Sequence, residues 1–373
     1  MQTAKKPRIL FISRAYPPVT GGIENQNYEV SLWLSKITDV KIVANKKGRK
    51  FLPLFAPYAL FYTIFNIRKY DVILLGDGVL SFISWFTKIF SSKPILAVIH
   101  GLDVNYDSAS LGVWYEKILI FLYQKLWVKL FLPSLDKFIA VGNETVKVLR
   151  LKNIPSKKIV FIPNGIDQNK FYKLTDRTEL EKILDLDLSG KKILLTSGRL
   201  ARRKGVAWFC RNVMPKLPEN ILYIVAGNGP DKNNIANAIV ENNLSQRVIM
   251  LGFVTDKVRN NLFNTCDLFI QPNIKITGDM EGFGMSVIEA ASCQIPVIAS
   301  SLEGLKDAIK DGKNGFLVGT EDAQGYIEKI TSLLANDAYR REFGKEARQY
   351  IIENYSWGKI SQRYLEEIEK TLC

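Results

Sequence analysis

Two glutamates in the C-terminal half of the chain stand on either side of a glycine-rich turn, with seven residues between them. Glu281 and Glu289 lie in EGFGMSVIEA, residues 281–290, after an apolar run and a polar loop. Gly282 and Gly284 allow backbone N–H groups to approach a ligand, and a helix that begins there supplies positive partial charge. Carboxylates are natural acceptors for sugar or ribose hydroxyls. Taken alone, however, the pattern is more typical of an ordinary helix start with an incidental acid and a solvated glutamate.

A second stretch favours a ligand. SGRLARRKG, residues 197–205, leaves an apolar run and places Arg199 and Lys204 in the turn that precedes a helix. Two cations there could neutralise a pyrophosphate, the arginine through its planar fork and the lysine as a point charge. Cations at a helix start oppose the helix dipole. A ligand role is therefore a better explanation of this turn than an exposed basic helix start.

These residues are positioned by a repeated strand–helix pattern. The apolar runs are nearly continuous rather than alternating, which is typical of parallel strands covered on both faces. Longer helical patterns separate them, so the sequence predicts an α/β fold. The predicted strands are residues 8–13, 40–44, 71–75, 94–99, 137–141 and 158–162 in the first half, and 192–197, 221–227, 247–251, 268–272, 296–300 and 315–318 in the second.

The pattern breaks once, at FIPNGIDQNKF, residues 161–171. Proline, asparagine and glycine interrupt the regular elements there. We therefore expect two doubly wound parallel-sheet domains, residues 1–164 and 165–355, which face each other across a cleft at the carboxyl ends of their strands. Residues 356–373 have helical spacing, and we expect this last helix to pack back on the N-terminal domain.

The ordered set of motifs resembles the retaining glycosyltransferases of family 4, which have the GT-B fold. The resemblance covers nearly the whole chain and makes the first domain the acceptor side and the second the nucleotide-sugar donor side. Its pieces are the two glutamates in EGFGMSVIEA, SGRLARRKG, YPPVTGGIE (16–24), HGLDV (100–104), PNGID (163–167), AGNGP (226–230), LGFV (251–254) and EGLKDAI with GKNGFLV (303–318).

The resemblance also implies roles for individual residues. Glu289 would hold the nucleotide ribose, Glu281 would contact the donor sugar, and Arg199 and Lys204 would hold the diphosphate. His100 follows a predicted strand, and the resemblance implies that it reaches the donor sugar from the N-terminal side. Other implied donor-binding residues are Gly22 in the N-terminal loop, Gly252, Phe253 and Val254 beside the base, and the backbone of Phe283, Gly284, Met285 and Ser286 at the diphosphate.

The implied reaction is attack of an acceptor hydroxyl on the anomeric carbon of a nucleotide-diphosphate sugar, with retention of configuration. The leaving phosphate takes the acceptor proton on the same face, so no side-chain base is obligatory. No cofactor beyond the donor is expected. A metal is not expected either, because the single D-x-D, residues 185–187, ends a helical pattern away from any predicted strand end. UDP-sugars are favoured as donors and GDP-sugars come next.

Charge suggests what lies near the acceptor. Residues 1–165 carry 23 Lys and Arg against 10 Asp and Glu, a net charge of +13 out of +14 for the chain. Residues 51–67 are uncharged, rich in aromatic side chains and flanked by Lys and Arg, and residues 117–133 interleave Lys with Trp and Phe. Both segments are too short or too charged to cross a bilayer, but they suit its interface or a domain core. We therefore expect an anionic membrane surface as a partner and a glycan or lipid-linked acceptor of bacterial surface polysaccharide or glycolipid synthesis.

Four scattered cysteines fit a reducing compartment, so the predicted location is the cytoplasm, peripheral on the inner face of the membrane. Three other functions fit parts of the sequence: a soluble glucan- or sucrose-type synthase, a nucleotide-sugar epimerase of the same fold, and a basic nucleic-acid-binding protein. An epimerase would need more groups for proton abstraction than one histidine provides. Nucleic acid is not expected as a partner, since no nucleic-acid-binding module is recognised and that function would leave the glycine-rich turns unexplained.

Overall fold

Short apolar segments form parallel strands, and helices connect them. Within residues 6–19, 21–101, 122–171 and 178–372, which the computed structural model describes, there are twelve strands. Each lies within one residue, at either end, of a predicted strand. They are β1 Arg8–Ser13, β2 Asp39–Ala44, β3 Val72–Leu75, β4 Ile95–Ile99, β5 Lys137–Ala140, β6 Ile159–Phe161, β7 Lys192–Ser197, β8 Ile221–Ala226, β9 Val248–Gly252, β10 Leu268–Gln271, β11 Val297–Ser300 and β12 Phe316–Val318.

Helices alternate with the strands, as the strand–helix pattern predicts, and three more follow the last strand. They are α1 Gly22–Ser35, α2 Leu52–Asn66, α3 Ser81–Thr87, a π-helix Tyr123–Phe131, α4 Asn143–Leu151, α5 Thr178–Leu184, α6 Val206–Asn212, α7 Lys232–Glu241, α8 Asp256–Thr265, α9 Met285–Ser292, α10 Leu305–Ala308, α11 Ala323–Ala335, α12 Asp337–Tyr355 and α13 Trp357–Leu372. Among the helices described, none is long and apolar enough to span a bilayer.

The strands form two separate six-stranded parallel sheets. The first has the order β2-β1-β3-β4-β5-β6 and the second the order β12-β11-β10-β7-β8-β9. The chain divides accordingly into a first unit, which ends at Gly165 and takes in the chain from Trp357, and a second unit, Ile166–Ser356. The predicted α/β class with two doubly wound parallel sheets is confirmed.

The sheet of the first unit is covered on both faces. Alternate residues of β1 enter different cores: Leu10 and Ile12 pack in the core with α2 and α3, whereas Ile9 and Phe11 pack with α1 and α13. Helices α2, α3 and α4 thus cover one face of the sheet, with the π-helix packed against α3, and α1 and α13 cover the other face.

The C-terminal helix belongs to the first unit. α13 packs against α1, and its first residue, Trp357, is buried. A side chain at Gly165 would collide with the Trp357 ring, so a glycine allows the chain to pass this close to the returning helix.

The second sheet contains the topological switch that often binds ligands in this kind of fold. Strand order runs outward in opposite directions from β7 and β10, which lie side by side. The loops after two such strands diverge and leave a crevice at the carboxyl edge of the sheet. The turn that carries Arg199 follows β7, and the loop that leads to Glu281 follows β10.

Candidate functional site

Two glycines shape the backbone at the carboxyl edge of the second sheet. Gly205 (φ 66°) ends the turn after β7, and a side chain there would collide with the carbonyl of Pro272 after β10. Gly284 (φ 82°) precedes α9, and a side chain there would reach 2.7 Å from the Leu305 side chain. Both have left-handed backbones that favour glycine. They bring the β7 turn close to the β10 loop and set the start of α9.

The central contact at this edge is a buried ion pair between Lys204 and Glu281. Lys204 Nζ lies 2.6 Å from Glu281 Oε2, and the two side chains are only 11% and 10% exposed. Arg203 Nε lies 3.6 Å from the same oxygen, while its Nη1 donates to Asp279 Oδ1 at 3.1 Å. The structure therefore brings together one predicted cation and one predicted carboxylate that are far apart in the sequence.

The charge state of Glu281 follows from these neighbours. Burial by itself would raise the pKa of this carboxyl, but the charges of Lys204 and Arg203 and the hydrogen bonds from Lys204 and Asn273 outweigh burial and lower its pKa. Glu281 is thus held as a carboxylate. A buried carboxylate of this kind is a strong acceptor for hydroxyl groups.

Three polar residues that fix Glu281 were not foreseen from the sequence. Asn273 Nδ2 donates to Glu281 Oε2 at 3.1 Å, and Gln271 Nε2 donates to Asn273 Oδ1. Glu303 Oε2 accepts the backbone N–H of Glu281 at 2.7 Å and is itself paired with Lys275. All three are buried. A signal was present, since each lies at or within three residues of the end of β10 or β11, where polar side chains in parallel sheets commonly face ligands.

Glu289 lies on α9 in a different electrostatic environment. Burial raises its pKa above the usual value, the nearby charges of Arg259 and Lys204 act in the opposite direction, and Asp256 adds to the rise. At the start of the same helix, Ser286 Oγ donates to Gln271 Oε1 at 3.1 Å. The two predicted glutamates therefore differ: one is a fixed carboxylate, and the other is a carboxyl that protonates more readily.

Two further predicted residues at this edge are open to solvent. Arg199 is exposed and forms no ion pair within the described ranges. Phe253 follows β9 and is 80% exposed, next to Gly252 and the half-buried Val254. By contrast, the Phe283 side chain is buried in the core, so only its backbone is placed for a ligand. Met285 is half-buried in the first turn of α9.

The predicted residues of the first unit lie at the corresponding edge of their own sheet. His100 directly follows β4, and its Nε2 lies 3.0 Å from the carbonyl oxygen of Gly76, after β3. Gly22 is the first residue of α1, and a Cβ added there would meet no described atom within 4 Å. The remainder of HGLDV, residues 102–104, falls outside the described residues.

A metal centre is not evident in the part of the chain that the structure describes, where no three His, Cys, Asp or Glu side chains are grouped to hold an ion. In the D-x-D at residues 185–187, Asp187 Oδ1 accepts the backbone N–H of Ser189 at 2.8 Å. This hydrogen bond stabilises the turn after α5.

Comparison with known proteins gives two adjoining family matches. The family described as Glycosyltransferase Family 4 matches residues 11–170, and the one described as Glycosyl transferases group 1 matches residues 176–350. The chain belongs to the family 4 glycosyltransferases of GT-B fold. The two matches meet between residues 170 and 176, close to the join between the two units at Gly165.

Individual relatives of this glycosyltransferase have low sequence identity but align over most of the chain. It is 25% identical over 371 residues to the alpha-galactosylglucosyldiacylglycerol synthase of Streptococcus pneumoniae, covering 98% of this chain and 90% of that protein. It is 29% identical over 247 residues to the N,N'-diacetylbacillosaminyl-diphospho-undecaprenol alpha-1,3-N-acetylgalactosaminyltransferase of Campylobacter jejuni, covering 65% and 63%. The crystal structure of Anabaena HepE with UDP-glucose superposes with a TM-score of 0.72 at 18% identity, over 98% of this chain and all of that one.

Proposed function

We propose that this glycosyltransferase moves a sugar, with retention, from a UDP-sugar to a hydroxyl of a lipid-linked or membrane-presented glycan in surface polysaccharide or glycolipid synthesis. A GDP-sugar is the second choice of donor. The observation that carries the proposal is the cluster at the switch point of the second sheet. There, a buried cation–carboxylate pair, an exposed arginine and the start of α9 meet at one edge.

The cluster supplies both kinds of group that a nucleotide-diphosphate sugar needs. Lys204 and Arg199 are cations for the diphosphate, and the backbone N–H groups at the start of α9 add donors and positive partial charge. Glu281 is a fixed carboxylate for sugar hydroxyls. A bound donor would exchange the Lys204–Glu281 pair for separate hydrogen bonds, phosphate oxygens to the lysine and hydroxyls to the glutamate.

The same groups would act on the reaction itself. Negative charge grows on the leaving diphosphate as the glycosidic bond breaks, and preorganised donors that face such charge contribute about 3–4 kcal/mol each. Glu289 would accept the ribose hydroxyls, Phe253 with Gly252 and Val254 would lie beside the base, and His100 and Gly22 of the first unit would serve the sugar and the diphosphate. The acceptor proton would leave with the phosphate, without a metal or a side-chain base.

The relatives support the choice of donor and acceptor. The Anabaena structure holds UDP-glucose. The Campylobacter relative is named for an undecaprenol-diphosphate-linked substrate, and the Streptococcus relative is named for a glycosylated diacylglycerol product. Since both names describe lipid-borne substrates or products, we propose an acceptor of that class for this chain and a place on the inner face of the cytoplasmic membrane.

Donor binding can be tested by thermal shift with UDP-, GDP-, ADP- and dTDP-sugars. A ligand at 100 times its dissociation constant stabilises by about 2.7 kcal/mol, which such a measurement resolves easily. We expect a shift with UDP-sugars in the wild type and in Arg202→Ala, a control that removes an exposed arginine from the same turn. Arg199→Ala should lose most of the shift. If no nucleotide sugar shifts the wild type, or if Arg199→Ala responds like Arg202→Ala, the proposed donor site is wrong.

A further inference from the structure

The outer face of α2 is a stripe of large apolar side chains. Leu54, Tyr58, Phe61 and Phe65 are 69%, 56%, 57% and 80% exposed, and Phe51, just before the helix, is 40% exposed. Their spacing alternates between three and four residues, which places them along one side of a helix. The residues that this helix does bury, Phe55, Ala59 and Thr63, occupy its other side. The stripe is therefore not a core surface within the first unit.

The neighbouring elements on the same face of the sheet extend this apolar surface. α2 packs against α3, and α3 packs against the π-helix. At the end of α3, Ile89 and Phe90 are 60% and 67% exposed, and Leu126 and Leu130 of the π-helix are 43% and 41% exposed. We refer to the exposed side chains of these three elements as the apolar face. Contiguous apolar patches are rare on soluble proteins and commonly indicate a binding surface.

The charged residues within the segments that form the apolar face are all basic. From Lys41 to Tyr70 the sequence holds seven Lys and Arg and no Asp or Glu, and residues 78–101 and 122–135 also lack acids. Lys46, Lys47, Arg49, Lys50 and Arg68 are exposed at the two ends of α2 and pair with no carboxylate in the described part of the chain. A second copy of this chain would bring the same cations to the face, so charge repulsion disfavours a symmetric dimer through it.

We propose that the apolar face is a docking surface for an anionic lipid bilayer. Helix α2 lies parallel to the membrane, its aromatic stripe enters the boundary between headgroups and acyl chains, and the lysines and arginines at its ends contact anionic headgroups. Aromatic and aliphatic side chains flanked by cations are the composition that such interfacial helices use. The inference rests on the proposed function, because docking would bring the enzyme to a lipid-borne acceptor. Its test does not measure sugar transfer.

The test is co-sedimentation with vesicles of phosphatidylcholine alone and with about 30 mol % phosphatidylglycerol. We expect the wild type to bind the anionic vesicles at least about tenfold better than the neutral ones at low salt. Phe61→Gln with Phe65→Gln should lower binding by about tenfold or more, since two large apolar side chains no longer enter the bilayer. A double variant of the second unit, Val240→Gln with Tyr339→Gln, removes comparably exposed apolar side chains and should bind like the wild type.

Three results would overturn the proposal. The first is a wild type that binds anionic vesicles no better than neutral ones, and the second is full vesicle binding by the Phe61 and Phe65 variant. The third is a wild type that is dimeric without lipid and a variant that is monomeric, which would make the face a protein interface. Circular dichroism of each variant shows whether α2 remains folded. The UDP thermal shift separates this proposal from the function: if the shift is retained without vesicle binding, only docking is wrong, whereas vesicle binding without any nucleotide shift leaves docking intact and removes the donor site.

Discussion

Lys204→Met should destabilise the second unit because it leaves Glu281 charged, buried and without its main partner. Removal of one member of a buried ion pair costs about 3–5 kcal/mol. Two partners remain, Arg203 at 3.6 Å and the Asn273 amide at 3.1 Å, so we expect the lower end, about 3 kcal/mol at neutral pH. The double variant with Glu281→Gln should be less destabilised than the sum of the single changes, since no unpaired charge is left.

The difference in stability between the wild type and Lys204→Met should depend on pH. In the wild type the pKa of Glu281 lies below its usual 4.5, so the stability that this carboxylate contributes is present above that pH and is lost as pH falls through the folded pKa. In Lys204→Met, the main charge that offsets the effect of burial is lost, so the pKa of Glu281 rises. The carboxyl then becomes protonated as pH falls, and the difference in unfolding free energy between the two proteins should shrink from neutral pH towards pH 4.5.

Native-state hydrogen exchange in peptides from β7 and β10 reports the second unit separately from the first. Arg202→Met is the matched control, because it removes an exposed cation from the same turn and should change the unfolding free energy by less than about 0.5 kcal/mol. The account of the ion pair would be refuted by a Lys204→Met protein as stable as this control. Strict additivity in the double variant, or a difference from wild type that does not depend on pH, would refute it equally.

Two further predictions concern the start and the body of α9. Because the pKa of Glu289 is raised, acidification should protonate it before an ordinary glutamate and weaken UDP binding. The affinity for UDP should therefore fall with pH in the wild type, and should be lower but less dependent on pH in Glu289→Gln. Parallel curves for the two proteins would contradict the role of Glu289 as an acceptor. Gly284→Ala should lower the unfolding free energy by at least about 1 kcal/mol in denaturant titrations, since φ is 82° and Leu305 is close, whereas Gly22→Ala should leave it unchanged or raised. Equal effects of the two substitutions would contradict this explanation of Gly284.

The strands, and the edge of the second sheet at which Lys204 and Glu281 meet, could be predicted because they depend on local pattern. KILLTS and LFIQP each contain an unbroken apolar run, residues 193–195 and 268–270. In parallel strands the residues that follow such runs meet at one edge of the sheet. The partners of Glu281 could not be predicted in the same way. Asn273 and Glu303 reach it from the loops that follow β10 and β11. These contacts depend on the path of the two loops, which the apolar pattern of the strands does not specify.

For the apolar segment at residues 51–67, the sequence does not predict which side of the helix faces solvent. Its hydrophobic residues are so dense that helical periodicity does not separate an inner from an outer side, and the sequence is compatible with both a core helix and an interfacial one. The structure distinguishes the two sides, since Phe55 and Ala59 are buried whereas Phe61 and Phe65 are exposed. Only the packing of α2 on its sheet determines this. The first part of the second such segment, residues 117–121, lies outside the described residues.

The most direct test of the central claim is hydrogen exchange of the full chain with and without UDP. The account predicts protection at the start of α9, residues 283–289, and in the loop after β9, residues 252–254, with no change in α2. Protection confined to peptides of the first unit, or an exchange pattern that saturating UDP leaves unchanged everywhere, would contradict a donor site at the switch point of the second sheet.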